Sequence, residues 1–248
     1  MSSGKPPPIW YATVKKNSEI PNRALALLSG GLDSTVSLAL ATRYCQPVLA
    51  LFFDYTQHAS RREEEAARGI AENYDLAFTK VTLPWLGEIS SSALIAGKGE
   101  VPEISASQLS TGTGASSRDV WIENRNGIFI HIAAAYAVEH DCRIVIVGFN
   151  REEAETFPDN SEQFLEAVNG SLELGVAKPV RVESPTVSMT KRDIVEVGLQ
   201  LDIPWKLLWS CYRGGEEMCG RCESCQRLRR AVADTPAGRD ICFGGEDR

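Results

Sequence analysis

Histidine and methionine are scarce, three of each in 248 residues. No run of apolar side chains approaches the length of a membrane span, so no membrane partner is expected. The histidines are His58, His131 and His140, and they form no Ser-His-Asp arrangement with their surroundings. His58 follows a strand and reads as locally satisfied, while His131 and His140 fall in or at the end of an apolar helix and read as structural. Basic charge is also short. The balance of 26 Lys and Arg against 33 Asp and Glu leaves −7, which argues against gripping long nucleic acid by bulk electrostatics. Internal repeats and low-complexity blocks are missing, and the first residues lack the apolar core of an export signal. The seven cysteines therefore point to thiols or a metal rather than disulfides, and the expected compartment is the cytoplasm.

What the chain does have is the stretch Leu28 to Leu38, Leu-Ser-Gly-Gly-Leu-Asp-Ser-Thr-Val-Ser-Leu. The apolar run Ala24 to Leu28 precedes it, and Val36, Leu38, Ala39 and Leu40 keep helical company after it. The order is strand, glycine turn, helix. Gly30 and Gly31 allow backbone angles that side chains forbid, so several N–H groups can converge on one anion. The helix start adds its unpaired N–H groups and the positive end of its dipole. Ser29, Ser34 and Thr35 supply hydroxyls, and Asp33 stands where it can hold magnesium against a phosphate. The lysine of a Walker loop and the Rossmann glycine spacing are both missing. Ser-Gly-Gly-x-Asp-Ser instead resembles the pyrophosphate loop of the ATP pyrophosphatases. That resemblance implies ATP bound along Leu28, Ser29, Gly30, Gly31, Leu32, Asp33, Ser34, Thr35, Val36, Ser37 and Leu38, with Asp33 and Ser34 catalytic.

Strands are expected at Val48 to Phe53, Ala77 to Leu83, Arg143 to Val147 and around Val180 to Val182. Helices are expected at Arg61 to Glu72, Ile128 to His140, Glu162 to Leu174 and Lys191 to Leu201, the last capped by Thr190. Alternating strands and helices imply an α/β fold with a doubly wound, Rossmann-like parallel sheet, whose ligands lie beyond the carboxyl ends of the strands. Residues 1–20, with three consecutive prolines, read as an extension. Residues 21–205 read as the α/β domain and 206–248 as a C-terminal four-cysteine zinc segment. The Ser- and Gly-rich stretch from Leu86 to Arg118 breaks the rhythm and reads as a lid or a segment ordered by ligand.

The tail carries the second pattern: Cys211, then Cys219, Cys222 and Cys225 at Cys-x-x-Cys-x-x-Cys spacing. Two-residue gaps let the chain double back with its sulfurs converging on a tetrahedral zinc ion. Arg221, Arg227, Arg229 and Arg230 are near enough in sequence to offset the thiolate charge. An iron–sulfur cluster is the alternative reading. Cys45, Cys142 and Cys242 stand alone and read as packing residues.

Loop and tail together, with Ser210-Cys211-Tyr212 leading into the cysteines, resemble the 7-cyano-7-deazaguanine synthases of the queuosine pathway. Asp54-Tyr55-x-Gln57 resembles their Asp-Tyr-Gly-Gln segment, with Thr56 in place of glycine. Arg125-Asn126 matches the end of Val-Pro-Gly-Arg-Asn, with Ile122, Glu123 and Asn124 differing. Gly148 with Phe157-Pro158-Asp159 resembles Gly…Tyr-Pro-Asp-Cys-Arg, with Asn160 and Ser161 differing, and Lys191 matches a lysine after a proline. The resemblance implies the fold of the ATP pyrophosphatases with a C-terminal zinc-binding tail. It also implies a homodimer and an ATP-dependent conversion of 7-carboxy-7-deazaguanine and ammonia to the nitrile, with release of AMP and pyrophosphate. Lys191 would neutralise phosphates, or else is a solvated lysine at a helix start. Asp159 would read the base edge, or else belongs to a local turn. Arg125 would meet a carboxylate or phosphate, and Gln57 and Asn126 would border the substrate. A PP-loop enzyme that adenylates another acceptor, such as a tRNA base for thiolation, is the other reading. It calls for a catalytic cysteine pair near the active loop or a cluster, plus a basic surface.

Overall fold

Alternation in β1 (Arg23–Leu27) shows how the sheet divides the molecule. Ala24 and Ala26 point to one apolar layer and Leu25 to the other, as a strand buried on both faces requires. The structure is a computed structural model and describes residues 22–111 and 118–244. The extension expected at 1–20 and the centre of the stretch 86–118 lie outside the described residues. Among the described residues no helix is long and apolar enough to cross a membrane.

From β1 the chain runs through α1 (Leu32–Ala41), β2 (Gln46–Asp54), α2 (Ser60–Asn73) and β3 (Ala77–Thr82). It continues through the short α3 (Pro84–Ile89) and α4 (Ala106–Thr111), then α5 (Arg125–Glu139), β4 (Ile144–Ile146) and α6 (Arg151–Ala154). The last elements are α7 (Glu162–Gly175), β5 (Arg181–Glu183), α8 (Lys191–Leu201) and α9 (Glu223–Val232). The five strands are parallel in the order β3-β2-β1-β4-β5. Pro47, which cannot donate to a ladder, sits at the start of β2 beside the register shift against β1 and before pairing with β3 begins at Leu49.

Helices cover both faces. On one side α1, α2, α8 and α9 pack through Val36, Leu38, Ile70, Ile194, Val195, Leu228 and Val232. On the other, α5 and α7 pack through Ile130, Ala133, Ala134, Leu165 and Leu172. Thr190 and Asp193 close a capping box at the start of α8, so this helix begins where the sequence places it. The stretch read as a lid is partly built: α3 and α4 lie in it, and the Glu103 bridge to Cys222 ties it to the tail. The tail packs on the core. Cys211, Cys222 and Cys225 are buried in the same apolar layer as α1 and α8, because the amphipathic α9 has nowhere else to bury its stripe.

Candidate active site

The strand order reverses between β1 and β4, and in a doubly wound sheet that reversal opens a crevice past the carboxyl ends of the strands. The glycine loop after β1 occupies it. Gly30 adopts φ +81°, and a Cβ there would stand 2.6 Å from Ala66 Cβ, so only glycine lets the loop lie on α2. Gly31 caps α1 with extended backbone and no side-chain acceptor, which leaves the first N–H groups of α1 open to an anion. From β4, Gly148 presses against the same turn: a Cβ would come within 2.5 Å of the Ser34 nitrogen.

These elements enclose a cavity of about 240 Å³. Leu28, Ser29, Gly31, Leu32 and Asp33 line it. Val36, Ser37 and Leu38, expected with the loop, do not. The helix has turned them into the core, where Ser37 meets the Thr186 hydroxyl at 2.8 Å. Thr35 also turns back, its hydroxyl donating to the Gly31 carbonyl at 2.8 Å. Ser34 does the same at 3.2 Å and lies 3.2 Å from the Ser29 hydroxyl.

Lys191 enters the cavity wall from the first residue of α8 and is buried, so it is not a solvated lysine. Its ammonium bonds Asp33 Oδ2 and lies 2.8 Å from Glu153 Oε1. Asn150 donates to the same Asp33 oxygen at 3.2 Å. Burial pushes the Asp33 carboxyl up to about 6, against the pull of Lys191. Burial is the largest influence on the Glu153 carboxyl and raises it, but Lys191, Arg227 and Asn150 together outweigh it and hold the group below its ordinary value. For Lys191 the two carboxylates outweigh burial and keep it charged. Two acids on one ammonium leave a net negative charge, and Asp33 Oδ1 is buried without a hydrogen-bond partner. An orphaned carboxylate oxygen beside a second acid fits a divalent cation better than a bare phosphate.

At the far wall Arg125 donates to the Tyr55 hydroxyl at 3.1 Å, and its guanidinium lies 5.7 Å from the centre of that ring. Phe53 and Phe129 stack at 4.1 Å. Asn126 lines the cavity and donates to the Asp159 carbonyl at 3.2 Å. Asp159 itself stands behind Asn126, outside the wall; its carboxyl is raised by burial, against the pull of Arg125. Gln57 reaches the wall but its amide is committed. It accepts from the Tyr55 nitrogen at 2.9 Å and donates to the Phe53 carbonyl at 3.1 Å and to Glu63 at 2.8 Å. It braces the turn rather than offering free groups. Glu63, Glu153, Tyr55, Phe129 and Trp209 complete the wall. Tyr55 belongs to the Asp54-Tyr55-x-Gln57 motif, whereas Glu63 sits in a run of charges that reads as a solvated helix face, and Glu153, Phe129 and Trp209 have no motif. His58 meets the Gly99 carbonyl at 3.2 Å and His131 the Gly127 carbonyl at 2.7 Å, as locally satisfied histidines do.

Two of the altered motif positions have a backbone explanation. Asn124 stands at φ +54°, where asparagine is tolerated in place of glycine. Thr56 stands at φ +68° with a β-branched side chain, where strain is expected. Relief of about 1–2 kcal/mol of left-handed strain, less about 0.5–1 kcal/mol of glycine entropy, predicts that Thr56→Gly stabilises. The melting temperature should rise by about 2 °C. A lower value by differential scanning fluorimetry would mean that the threonine packing against Gly87 outweighs the strain. Ser161 has become the cap of α7, accepting from the Phe164 nitrogen at 3.1 Å.

In the tail the sulfurs of Cys211, Cys219, Cys222 and Cys225 lie within 4.8 Å of one another, with Cys219 and Cys225 at 3.9 Å. Four sulfurs around one tetrahedral ion such as zinc stand about 3.8 Å apart, which fits; a multi-iron cluster needs a wider cage. The arginines expected to offset the charge are engaged elsewhere: Arg221 with Glu103, Arg227 with Glu223, Arg230 with Glu152, and Arg229 over the Phe243 ring. Backbone N–H groups meet the sulfurs instead. Those of Arg213 and Cys219 donate to Cys211, and those of Arg221 and Cys222 to Cys219, at 3.3–3.4 Å. The tail also builds cavity wall. Trp209 donates its backbone N–H to the Gly30 carbonyl at 2.9 Å, and the Ser210 and Ser224 hydroxyls meet at 2.8 Å.

Strand order, glycine loop and buried acid–lysine cluster define a doubly wound α/β protein with its candidate site at the switch point of the sheet. The chain belongs to the QueC family: the family model described as queuosine biosynthesis protein QueC matches residues 23–235. A relative from Pelotomaculum thermopropionicum is 46% identical over 212 residues, covering 85% of this chain and 96% of its own length. One from Desulforudis audaxviator is 47% identical over 211 residues, covering 84% and 96%. One from Methanosarcina mazei is 39% identical over 214 residues, covering 84% and 93%. All three are named 7-cyano-7-deazaguanine synthase.

Proposed function

We propose that this protein converts 7-carboxy-7-deazaguanine and ammonia to 7-cyano-7-deazaguanine, spending ATP to AMP and pyrophosphate at both the acid and the amide stage. The observation that carries the reading is the buried Asp33–Lys191–Glu153 cluster at the end of the glycine loop, facing an aromatic-walled cavity. A carboxylate is a poor electrophile because oxide would have to leave; transfer of AMP to its oxygen supplies a good leaving group. The open N–H groups at the start of α1, with Ser29, stabilise the departing pyrophosphate. Asp33 and Glu153 would hold magnesium, which when bound neutralises charge on the triphosphate. Lys191 sets the position of both acids. The stacked Phe53 and Phe129 suit a flat heterocycle, and Arg125 is placed to meet its carboxylate. Asn126 borders the substrate, and Asp159 acts on it through Asn126 and Arg125. Cys211, Cys219, Cys222 and Cys225 hold structural zinc. The enzyme acts in the cytoplasm as a homodimer on small molecules.

The thiolation reading is disfavoured by the cysteines. Among the described residues none lines the cavity, four converge on each other, and Cys45 and Cys142 are buried at the amino ends of β2 and β4. The test is to incubate the purified protein with ATP, magnesium, ammonium and 7-carboxy-7-deazaguanine. AMP, pyrophosphate and the nitrile are expected; ADP as the nucleotide product, or no dependence on the acid, would overturn the assignment.

A further inference from the structure

We propose that Glu63 captures the ammonium ion and accepts its proton in the nitrogen-transfer step. The inference rests on the functional reading above, and three observations within the cavity carry it. Three carboxylates line the wall: Asp33, Glu153 and Glu63. Lys191 joins the first two, whereas Glu63 bonds the neutral amide of Gln57 at 2.8 Å. Asp54, the other acid nearby, is already paired with Lys80 at 2.7 Å.

The partner is also rigid. Gln57 accepts from the Tyr55 nitrogen and donates to the Phe53 carbonyl, so its amide cannot flip, and it presents N–H to one oxygen of Glu63. The other oxygen is left for a small cation with several N–H donors. Position follows from the loop. Gly30 lies on α2, where an added Cβ would come within 3.0 Å of the Glu63 carbonyl, so the phosphate loop and the Glu63 backbone are in contact. Ammonium held at this carboxylate stands on the same wall as the loop that receives the adenylyl donor.

The chemistry balances. Ammonium gives one proton to the Glu63 carboxylate, and the freed lone pair attacks the carbonyl carbon of the adenylated acid. The C–N bond forms, the C–O bond to phosphorus-bound oxygen breaks, and AMP leaves with the electron pair. The nitrogen sheds a second proton to water, leaving the amide, and Glu63 returns its proton to solvent. Burial supports this role by pushing the Glu63 carboxyl up to about 7, with Gln57 and Arg125 pulling down and Asp54 and Cys211 pushing up.

Glu63→Gln separates this step from adenylation, because acid-dependent ATP–pyrophosphate exchange needs no ammonia. The variant should keep exchange within about threefold of wild type while kcat/KM for ammonium falls about 100-fold; Glu63→Asp should recover part of the loss. Unchanged ammonium kinetics would overturn the proposal. So would a parallel loss of exchange and amide formation, which marks a structural residue. A wild type without acid-dependent exchange would overturn the functional reading instead. Ammonium-specific protection then decides for Glu63: at pH 8.5, ammonium chloride should raise the melting temperature above that in equal sodium chloride for wild type and not for Glu63→Gln. Equal shifts in both proteins would sink the site.

Discussion

Asp33→Ala is expected to abolish AMP and pyrophosphate formation while leaving the protein folded. The two halves of this result have separate causes. Asp33 supplies the unpartnered Oδ1 beside the loop, and without it the cluster loses its negative excess and its place for a divalent cation. A loss of at least about 1,000-fold corresponds to about 4 kcal/mol of transition-state stabilisation, a reasonable toll for a charged group at the phosphates. Stability should hardly move. Asp33 is buried against its preference, and after its removal Lys191 still has Glu153 at 2.8 Å. Removing the lysine is the opposite case. Lys191→Met leaves two buried acids with no cation between them, and breaking such a cluster costs about 3–5 kcal/mol. Pyrophosphate release and a melting curve on both variants check the pair. An Asp33→Ala protein retaining a tenth of wild-type turnover would remove Asp33 from the mechanism.

Cys222→Ser is expected to lose the metal, much of the stability and the activity together. Cys222 has no exposed surface and shares its apolar layer with α1 and α8, so a hydroxyl there replaces both a ligand and a packed sulfur. Structural metal binding is folding free energy, and forfeiting about 5 kcal/mol of it would lower the melting temperature by about 10–20 °C in a domain of this size. Activity follows because the tail is cavity wall: the Trp209 bond to Gly30 and the Ser210–Ser224 contact lie beside the ligands. Metal content by atomic emission, with a melt and an ATP–pyrophosphate exchange assay, reads all three. A metal-free variant that melts with wild type and still exchanges would show that the thiolates are not what holds the tail.

Much of this architecture is legible before any coordinates. The run from Ala24 to Leu28, the glycine pair and the helix after it appear as read, with boundaries off by a residue. The capping box at Thr190 fixes the start of α8. Such features are local: a turn needing positive φ, a cap, a period of two or three and a half. The burial of the motif's last residues, through Leu38, has an equally plain cause. A motif is contiguous, but α1 is covered on nearly every side, so Val36, Ser37 and Leu38, further along the helix than the loop, pack into the core. Gln57 and Asp159 show the other limit. Residue type and position suit substrate contact, yet one is spent bracing a turn and the other stands behind Asn126.

The amino-acid sequence by itself determined the glycine loop, the parallel α/β order and the cysteine set, because each depends on residues close together along the chain. Only the tertiary structure decided that Asp33, Glu153 and Lys191 form one cluster, that the four-cysteine tail walls the cavity, and that Glu63 faces inward bonded to the neutral amide of Gln57. The contacts of Lys191 with Glu153 and Asp33 join residues 38 and 158 positions apart, brought together by the reversal of strand order. Charge pairing inside a buried site holds the cluster together against the cost of desolvation, which no spacing of letters expresses.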